Sequence, residues 1–200
     1  MDRRGRNGRR SIVSGNAAAG FTLLEALFIA GLVGVLLVVS IPQTTASLNR
    51  SRGLAAARYV ASRVGVARAQ AVARSANVAL RFEAVNGGLR VDVFADGNGN
   101  GVRTEDIGTG VDPAIDGPVL LFELFPGVRV TLSESDTGGA PMPLGANRLL
   151  SFSAMGTATS GSVYVTGPDG TRWAVRVLGT TARTRVLRYD PPAGGWVQAF

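Results

Sequence analysis

The chain shows three successive patterns of polar and apolar residues: an apolar run, a helical spacing and a strand-like alternation. The first part, residues 21–41, is an almost uninterrupted apolar run that carries one charge, Glu25, and stops at Pro42. A helix of about 20 residues rises roughly 30 Å, the thickness of the hydrocarbon core of a bilayer. The run is therefore predicted to be a membrane-spanning helix. A carboxylate inside such a helix is costly, so Glu25 is predicted to be a functional residue with a specific partner.

Beyond Pro42 the apolar residues recur at steps of three and four, which is the spacing of one helix face. This face consists of Leu54, Ala57, Val60, Val64, Ala67 and Ala71. Most of the arginines in the same stretch fall elsewhere on the helical wheel. The pattern predicts that residues 42–77 continue the helix in amphipathic form, with an alanine-rich face that allows a sheet to approach closely.

From residue 78 the period changes to two, which is typical of half-buried strands. Alternating runs at 78–83 and 89–94 flank Asn86-Gly87-Gly88 and predict a β-hairpin. Six further strands are predicted between turns that contain glycine or proline, at 119–125, 127–133, 148–153, 161–166, 171–178 and 182–189.

The polar stretch 134–147 is rich in glycine and proline and is predicted to be a loop. Short strands at this spacing favour an antiparallel sheet or sandwich, formed by residues 78–200. The fold class that we expect is therefore α+β, with one long N-terminal helix packed on an antiparallel β domain.

The composition argues against an enzyme. The 200 residues include neither cysteine nor histidine, so disulfides and thiolate chemistry are excluded and the commonest general base and metal ligand is missing. The serine-rich stretch 157–162 has no histidine partner, and the paired acids at 105–106 and 134–136 fall in predicted loops. No enzymatic activity is expected.

The positive charge of the chain is concentrated at its N-terminus. The formal net charge is +7, and residues 1–20 contain five arginines and a single acid. Basic residues before an apolar span stay in the cytoplasm, so the C-terminal domain is predicted to lie on the outer side of the membrane. A secretory signal peptide is cut after its apolar core. Here Ala17-Ala18-Ala19-Gly20 precedes the core, so a cut after Gly20 would leave the helix on the mature protein.

Cleavage after Gly20 would also supply a partner for Glu25. Phe21 would then begin the mature chain, and its α-amino group would bring a positive charge into the same apolar surroundings. The geometry within one helix is poor for a close pair, but a neighbouring copy shifted along its axis could present its amine to Glu25. Such a pair would neutralise both charges and set the stagger between subunits. An uncut single-span anchor is the alternative.

The segment Gly20-Phe21-Thr22-Leu23-Leu24-Glu25, followed by an apolar helix and Pro42, resembles the N-terminus of type IV pilins and type II secretion pseudopilins. The resemblance implies that a prepilin peptidase removes the leader, residues 1–20, and N-methylates Phe21. It also implies insertion into the lipid of the bacterial inner membrane, with the N-terminus cytoplasmic and the β domain periplasmic. The expected partners are this peptidase, an inner-membrane assembly platform and other pilin subunits.

Looser similarities extend along the rest of the chain, at 67–71, 93–101 and 150–158. They resemble the branch of H-type pseudopilins and FimT-like minor pilins. The implied function is that of a minor structural subunit of a type II secretion pseudopilus or a type IV pilus. A membrane-anchored binding protein that never polymerises is an alternative from another class.

The loop Asp96-Gly97-Asn98-Gly99-Asn100-Gly101 carries the alternating oxygen atoms and the turn glycine of a calcium loop. However, Ile107 stands where such a loop needs a bidentate glutamate. A turn whose side chains bond their own backbone is the favoured interpretation, so no cofactor is expected. Calcium held by Asp96, Asn98 and Asn100 is the alternative.

The last predicted strand contains Arg183, Arg185 and Arg188. Arg183 and Arg185 are two residues apart and therefore share a strand face, where paired guanidinium groups suit phosphate oxygens. In FimT-like pilins of DNA-uptake systems a Gly-Arg-x-Arg motif is implicated in DNA binding. The corresponding residues here are Ala182-Arg183-Thr184-Arg185, with alanine in place of the glycine. A DNA-binding minor pilin of a natural-transformation pilus is thus an alternative function. The simpler interpretation of these arginines is that they lie on a solvated strand face.

Overall fold

The computed structural model describes residues 22–132, 144 and 146–199, without the side chains of residues 39–46 and Ala146. The predicted leader with Gly20, the predicted mature N-terminus Phe21 and most of the predicted loop 134–147 lie outside the described residues. The first element is helix α1, Leu23–Arg74. The chain divides into two compact units, Met1–Pro42 and Gln43–Phe200.

The described part of the first unit belongs to the beginning of α1. Every described side chain from residue 22 to residue 38 is exposed, including Leu24, Phe28 and Val38. No helix within the described residues combines the length and the apolar character needed to cross a membrane.

The second unit contains the remaining elements. In chain order they are β1 (Val78–Val85), β2 (Gly88–Ala95), α2 (Thr104–Thr109), β3 (Ala114–Leu120), α3 (Leu121–Leu124), β4 (Arg129–Thr131), a 3₁₀ turn (Ala146–Arg148), β5 (Leu149–Phe152), β6 (Gly161–Thr166), β7 (Arg172–Leu178), β8 (Arg183–Asp190) and β9 (Gly195–Gln198).

Two antiparallel sheets form the β domain. The four-stranded sheet has the order β3-β2-β1-β5, and the five-stranded sheet has the order β4-β6-β7-β8-β9. The hairpin β1–β2 pairs Val78 with Ala95 and Val85 with Gly88, as the turn at residues 86–88 predicted. The α+β class with antiparallel sheets is therefore confirmed.

The predicted apolar face of the helix forms part of the main core. Ala57, Val60, Val64, Ala67 and Ala71 are buried, and Leu54 is partly buried against them. They share one cluster with the inner residues of both sheets, among them Phe82, Phe152 and Val175. On the flank of the helix, Arg63 donates a hydrogen bond of 2.6 Å to the Asp116 carboxylate on β3. This bond holds the pKa of Asp116 below its ordinary value.

The prediction at 119–125 was wrong in its second half. Val119 and Leu120 end strand β3, but the chain then turns into the short helix α3, in which Phe125 donates its backbone N–H to the Leu121 carbonyl. The turn buries the Leu121 side chain in the core. A short apolar run cannot by its periodicity distinguish a buried strand from a buried helical turn. Helix α2 and strand β9 were also not predicted.

Candidate functional site

The N-terminal segment keeps Glu25 in the first turn of α1, with its side chain exposed. The backbone N–H of Glu25 donates to the Thr22 hydroxyl at 3.2 Å, so Thr22 caps the helix. This Thr-x-x-Glu spacing is that of a capping box, a role of Thr22 that sequence reasoning missed. A carboxylate in the first turn also suits the helix dipole. Within the described residues Glu25 contacts no basic side chain, and its predicted partner, the Phe21 amine, lies outside them.

The loop after β2 is held by hydrogen bonds from its own backbone. One carboxylate oxygen of Asp96 accepts the N–H groups of Asn98 and Gly99, at 3.2 and 2.7 Å. The other accepts the N–H of Gly101 at 2.8 Å and the side-chain amide of Asn77 at 2.8 Å. Asn98 in turn accepts the N–H of Asn100 at 3.1 Å. These hydrogen bonds are the ones expected for the favoured interpretation, a turn whose side chains bond its own backbone.

The charge of Asp96 follows from these bonds. Burial by itself raises the pKa of Asp96, but the hydrogen bonds outweigh this effect and hold the pKa below its ordinary value. The donors are the side chain of Asn77 and the backbone N–H groups of Gly101, Gly99 and Asn98. Asp96 is thus kept as an anion by hydrogen bonds to its charged form.

A second carboxylate closes the loop from the far side. Asp112 is almost fully buried, and it accepts the N–H of Gly97 at 3.0 Å and that of Arg103 at 2.9 Å. The side-chain amides of Asn98 and Asn100 donate hydrogen bonds to the Asp106 carboxylate, at 3.3 and 3.0 Å. Within the described residues no group of three or more acidic, histidine or cysteine side chains is arranged to hold a metal ion. Calcium at Asp96, Asn98 and Asn100 stays an untested prediction.

The loop and helix α2 together cover the outer face of the four-stranded sheet. Val102 is buried in a small cluster with Ala79, Phe94 and Leu149, and Ile107 of α2 packs against it. Ile107, which stands where a calcium loop needs glutamate, therefore serves as an apolar anchor for α2. Gly110 ends the helix in the left-handed conformation, φ 78°.

The three C-terminal arginines do not lie together. Arg183 and Arg185 share the outer face of the five-stranded sheet, as their spacing predicted. Arg188 lies on the opposite face, in register with Trp173, whose side chain belongs to the main core. An odd separation of three residues along a strand places side chains on opposite faces.

Other strands bring further arginines to the face that Arg183 and Arg185 share. Arg176 of β7 lies directly opposite Arg185, and the register of β4, β6, β7 and β8 adds two more arginines. We call this set the arginine face: Arg129, Arg172, Arg176, Arg183 and Arg185. The sequence did not predict that Arg129, Arg172 and Arg176 share a face with Arg183 and Arg185, because only strand pairing brings β4 and β7 into the same sheet as β8.

Comparison with known proteins identifies a family for more than half of the chain. The family model described as "Type II transport protein GspH" matches residues 56–182, which is more than half of the chain. Among solved structures, one that matches is the minor pseudopilin EpsH from the type 2 secretion system of Vibrio cholerae. It shares 12% sequence identity, with 68% of this chain and 97% of that chain covered and a TM-score of 0.45. No curated protein sequence gives a significant match.

Proposed function

Because the chain belongs to the GspH family of type II transport proteins, we propose that it is a minor structural subunit of a type II secretion pseudopilus. The observation that carries the proposal is the family match over residues 56–182. This region includes α1 from residue 56 to its end, the Asp96 loop, the four-stranded sheet, and strands β4, β6 and β7 of the five-stranded sheet. Pseudopilins are structural subunits that associate with other pseudopilins. The role that we propose for this chain is accordingly structural and not enzymatic.

The proposal includes processing at the N-terminus. The matched region begins well after the segment Gly20-Phe21-Thr22-Leu23-Leu24-Glu25, so this segment supports the pseudopilin assignment independently. A prepilin peptidase would cut after Gly20, where a residue without a side chain leaves the peptide bond accessible. Phe21 would become the new, N-methylated terminus.

The beginning of α1 is the proposed assembly surface. All described side chains from residue 22 to 38 are exposed, and most of them are apolar. Apolar area of this size is covered by lipid or by other helices in a stable state. We therefore place residues 21–41 first in the inner membrane and later among the helices of neighbouring subunits, reached through an inner-membrane assembly platform. The β domain would lie in the periplasm.

Glu25 would act in assembly as the partner of the Phe21 amine of a neighbouring subunit. Thr22 caps α1 through the backbone of Glu25 and not through its carboxylate, so the carboxylate is available for such a pair. Neutralising two charges in an apolar environment favours the assembled state, because either charge alone is costly there.

The test is Glu25→Ala in the secreting cell. The variant should insert and be cleaved normally, yet its recovery in sheared pseudopilus fractions should fall at least about tenfold, since an unpaired buried charge costs several kcal/mol. Thr22→Val is the matched control: it removes the cap beside Glu25 but keeps the carboxylate, so assembly should persist. Normal assembly of Glu25→Ala would contradict the proposed pairing of Glu25 with the Phe21 amine. Absence of both the wild type and Thr22→Val from filaments would favour a membrane-anchored protein that does not polymerise.

The DNA-uptake alternative stays a prediction. Arg188 is separated from Arg183 and Arg185 by the thickness of the sheet, so the three do not form one phosphate-binding ridge. The two that do share a face belong to the larger arginine face, which has aromatic neighbours.

A further inference from the structure

The outer face of the five-stranded sheet carries several arginines, and three of them have no acidic partner among the described residues. Its arginines come from three strands, β4, β7 and β8. Among the described strand residues that share this face, none is aspartate or glutamate. No carboxylate of the described residues lies within salt-bridge distance of Arg176, Arg183 or Arg185. Elsewhere in the unit the arginines Arg63 and Arg90 do pair with acids, at 2.6 to 2.8 Å.

Two of these arginines lie opposite each other on adjacent strands. Arg176 and Arg185 are direct cross-strand neighbours, an arrangement that is destabilising for like charges. The Nε of Arg176 donates to the hydroxyl of the buried Ser162 at 3.3 Å. The Nε of Arg185 is buried and has no hydrogen-bond partner. A carboxylate of a partner placed between Arg176 and Arg185 would relieve the repulsion between these like charges.

An apolar strip lies between the arginines. Tyr164, Ala174 and Leu187 form a buried cluster on this face, and Trp196 of β9 packs against it. The pair Arg176 and Arg185 lies on one side of the strip. On the other side Arg172 pairs with Thr166, which in turn pairs with Arg129. An apolar and aromatic centre with charged residues around it is the composition of protein–protein interfaces, in which tyrosine, tryptophan and arginine are enriched.

The aromatic rings distinguish a protein partner from a nucleic acid. Single-stranded nucleic acids stack their bases on exposed ring faces. Here Tyr189 and Trp196 pack edge to face with ring centroids 5.5 Å apart, and Tyr164 lies 5.8 Å from Trp196. The Arg172 guanidinium lies 4.0 Å from the centroid of the Tyr189 ring. Because the rings are engaged with one another and with Arg172, the face favours carboxylates over bases.

We propose that the arginine face binds an acidic, extended segment of a partner protein. Arg183 and Arg185 are about 7 Å apart along β8, at the usual rise of about 3.3 Å per strand residue. An extended peptide has the same repeat, so carboxylates at alternate positions face successive guanidinium groups. Apolar residues of the partner would contact the partly exposed rings of Tyr189 and Trp196 beside this buried cluster. This contact is independent of the helix that we propose for assembly.

The experiment uses the full-length chain in a zwitterionic detergent and a fluorescein-labelled peptide of four alternating Glu-Val repeats. Fluorescence anisotropy at low salt measures its affinity. The double variant Arg176→Gln/Arg185→Gln should weaken binding about tenfold or more, because two charge-assisted contacts are lost. The matched control Arg74→Gln/Arg103→Gln removes two exposed arginines at the end of α1 and before α2, and it should change the affinity less than about twofold.

Four outcomes would overturn the proposal. They are the absence of peptide binding, an equal loss in both double variants, tighter binding of an oligothymidylate of equal charge, and self-association by sedimentation that depends on the same two arginines. The last two would point to a nucleic acid and to a second copy of this chain. Circular dichroism checks that the variants are folded. The exposed single variant Arg183→Gln provides a second test, with a smaller loss of peptide affinity expected.

Discussion

Gly97 shows how a single residue position is restricted by the tertiary structure of the Asp96 loop. A Cβ added at Gly97 would collide with the backbone carbonyl oxygen of Val111. The Gly97 N–H is also one of the two donors to the buried Asp112 carboxylate, at 3.0 Å. The backbone of residues 96–97 is thus pressed against residues 111–112 at a distance that excludes any side chain. The loop is a closely packed cover for the four-stranded sheet.

We predict that Gly97→Ala lowers the free energy of unfolding by about 1–3 kcal/mol, because the backbone must move and the hydrogen bond to Asp112 is lost. Gly108→Ala is the matched control. Gly108 lies in α2 with no atom within 4 Å of an added Cβ, so the change should be neutral or stabilise by up to about 1 kcal/mol through helix propensity. Urea unfolding of both variants measures the difference. Equal effects would contradict the assigned role of Gly97.

At the scale of elements, small residues let α1 approach both sheets closely. Ala56, Ala57, Ala67 and Ala71 are almost completely buried on one face of the helix. Near the turn between β6 and β7, a Cβ added at Gly53 would lie 3.1 Å from the Gly167 Cα. Larger side chains at these positions would separate the helix from the sheets, because a packed core has little empty space.

The alanine face leads to a prediction about overpacking. Ala57→Leu should destabilise the β domain by about 1–3 kcal/mol, since extra methylene groups in a filled core displace their neighbours. Ala55→Leu is the matched control, two residues away on the exposed side of the same helical turn, and should change stability by less than about 0.5 kcal/mol. Thermal unfolding followed by far-ultraviolet circular dichroism separates the two. A larger loss for Ala55→Leu would mean that the burial of the helix faces is wrongly assigned.

At the scale of the whole molecule, the two units have different characters. The unit Gln43–Phe200 contains a continuous core formed by α1 and both sheets, and the family match lies entirely within it. The described residues of the unit Met1–Pro42 expose their apolar side chains. The exposed apolar side chains of the first unit are consistent with the assembly surface proposed for it, and the second unit has a core of its own.

We predict that residues 43–200, produced alone, form a cooperatively folded monomer that is no longer recovered in membranes or pseudopilus fractions. Stability should stay within the range of small domains, about 5–15 kcal/mol, because the core residues are all retained. Analytical ultracentrifugation and urea unfolding test the first part, and fractionation of secreting cells tests the second. An unfolded product would contradict the division of the chain at Pro42. Membrane recovery would contradict the anchoring role of the first unit.

Local periodicity was sufficient to predict most of the elements. The step of three and four identified the buried face of α1, and the change to a period of two after residue 77 identified the hairpin β1–β2 and the strands from β5 to β8. The prediction failed at Leu121–Leu124, because a short apolar run can be buried either as a strand or as a helical turn, and the surrounding core decides which conformation it adopts. It also missed α2, which is stabilised by Ile107 packing on a distant sheet face more than by its own sequence.

For the candidate sites, residues close in sequence could be assigned and residues far apart could not. The spacing of Asp96, Asn98 and Asn100 already indicated a loop that bonds its own backbone, and the spacing of Arg183 and Arg185 indicated one strand face. That Asp112 closes the loop, that Arg188 lies on the other face and that Arg176 stands beside Arg185 follow only from the folded chain. The physical reason is that a side chain's direction along one strand depends on local geometry. Its neighbours across the sheet depend on the pairing register, which the packing of the whole core selects.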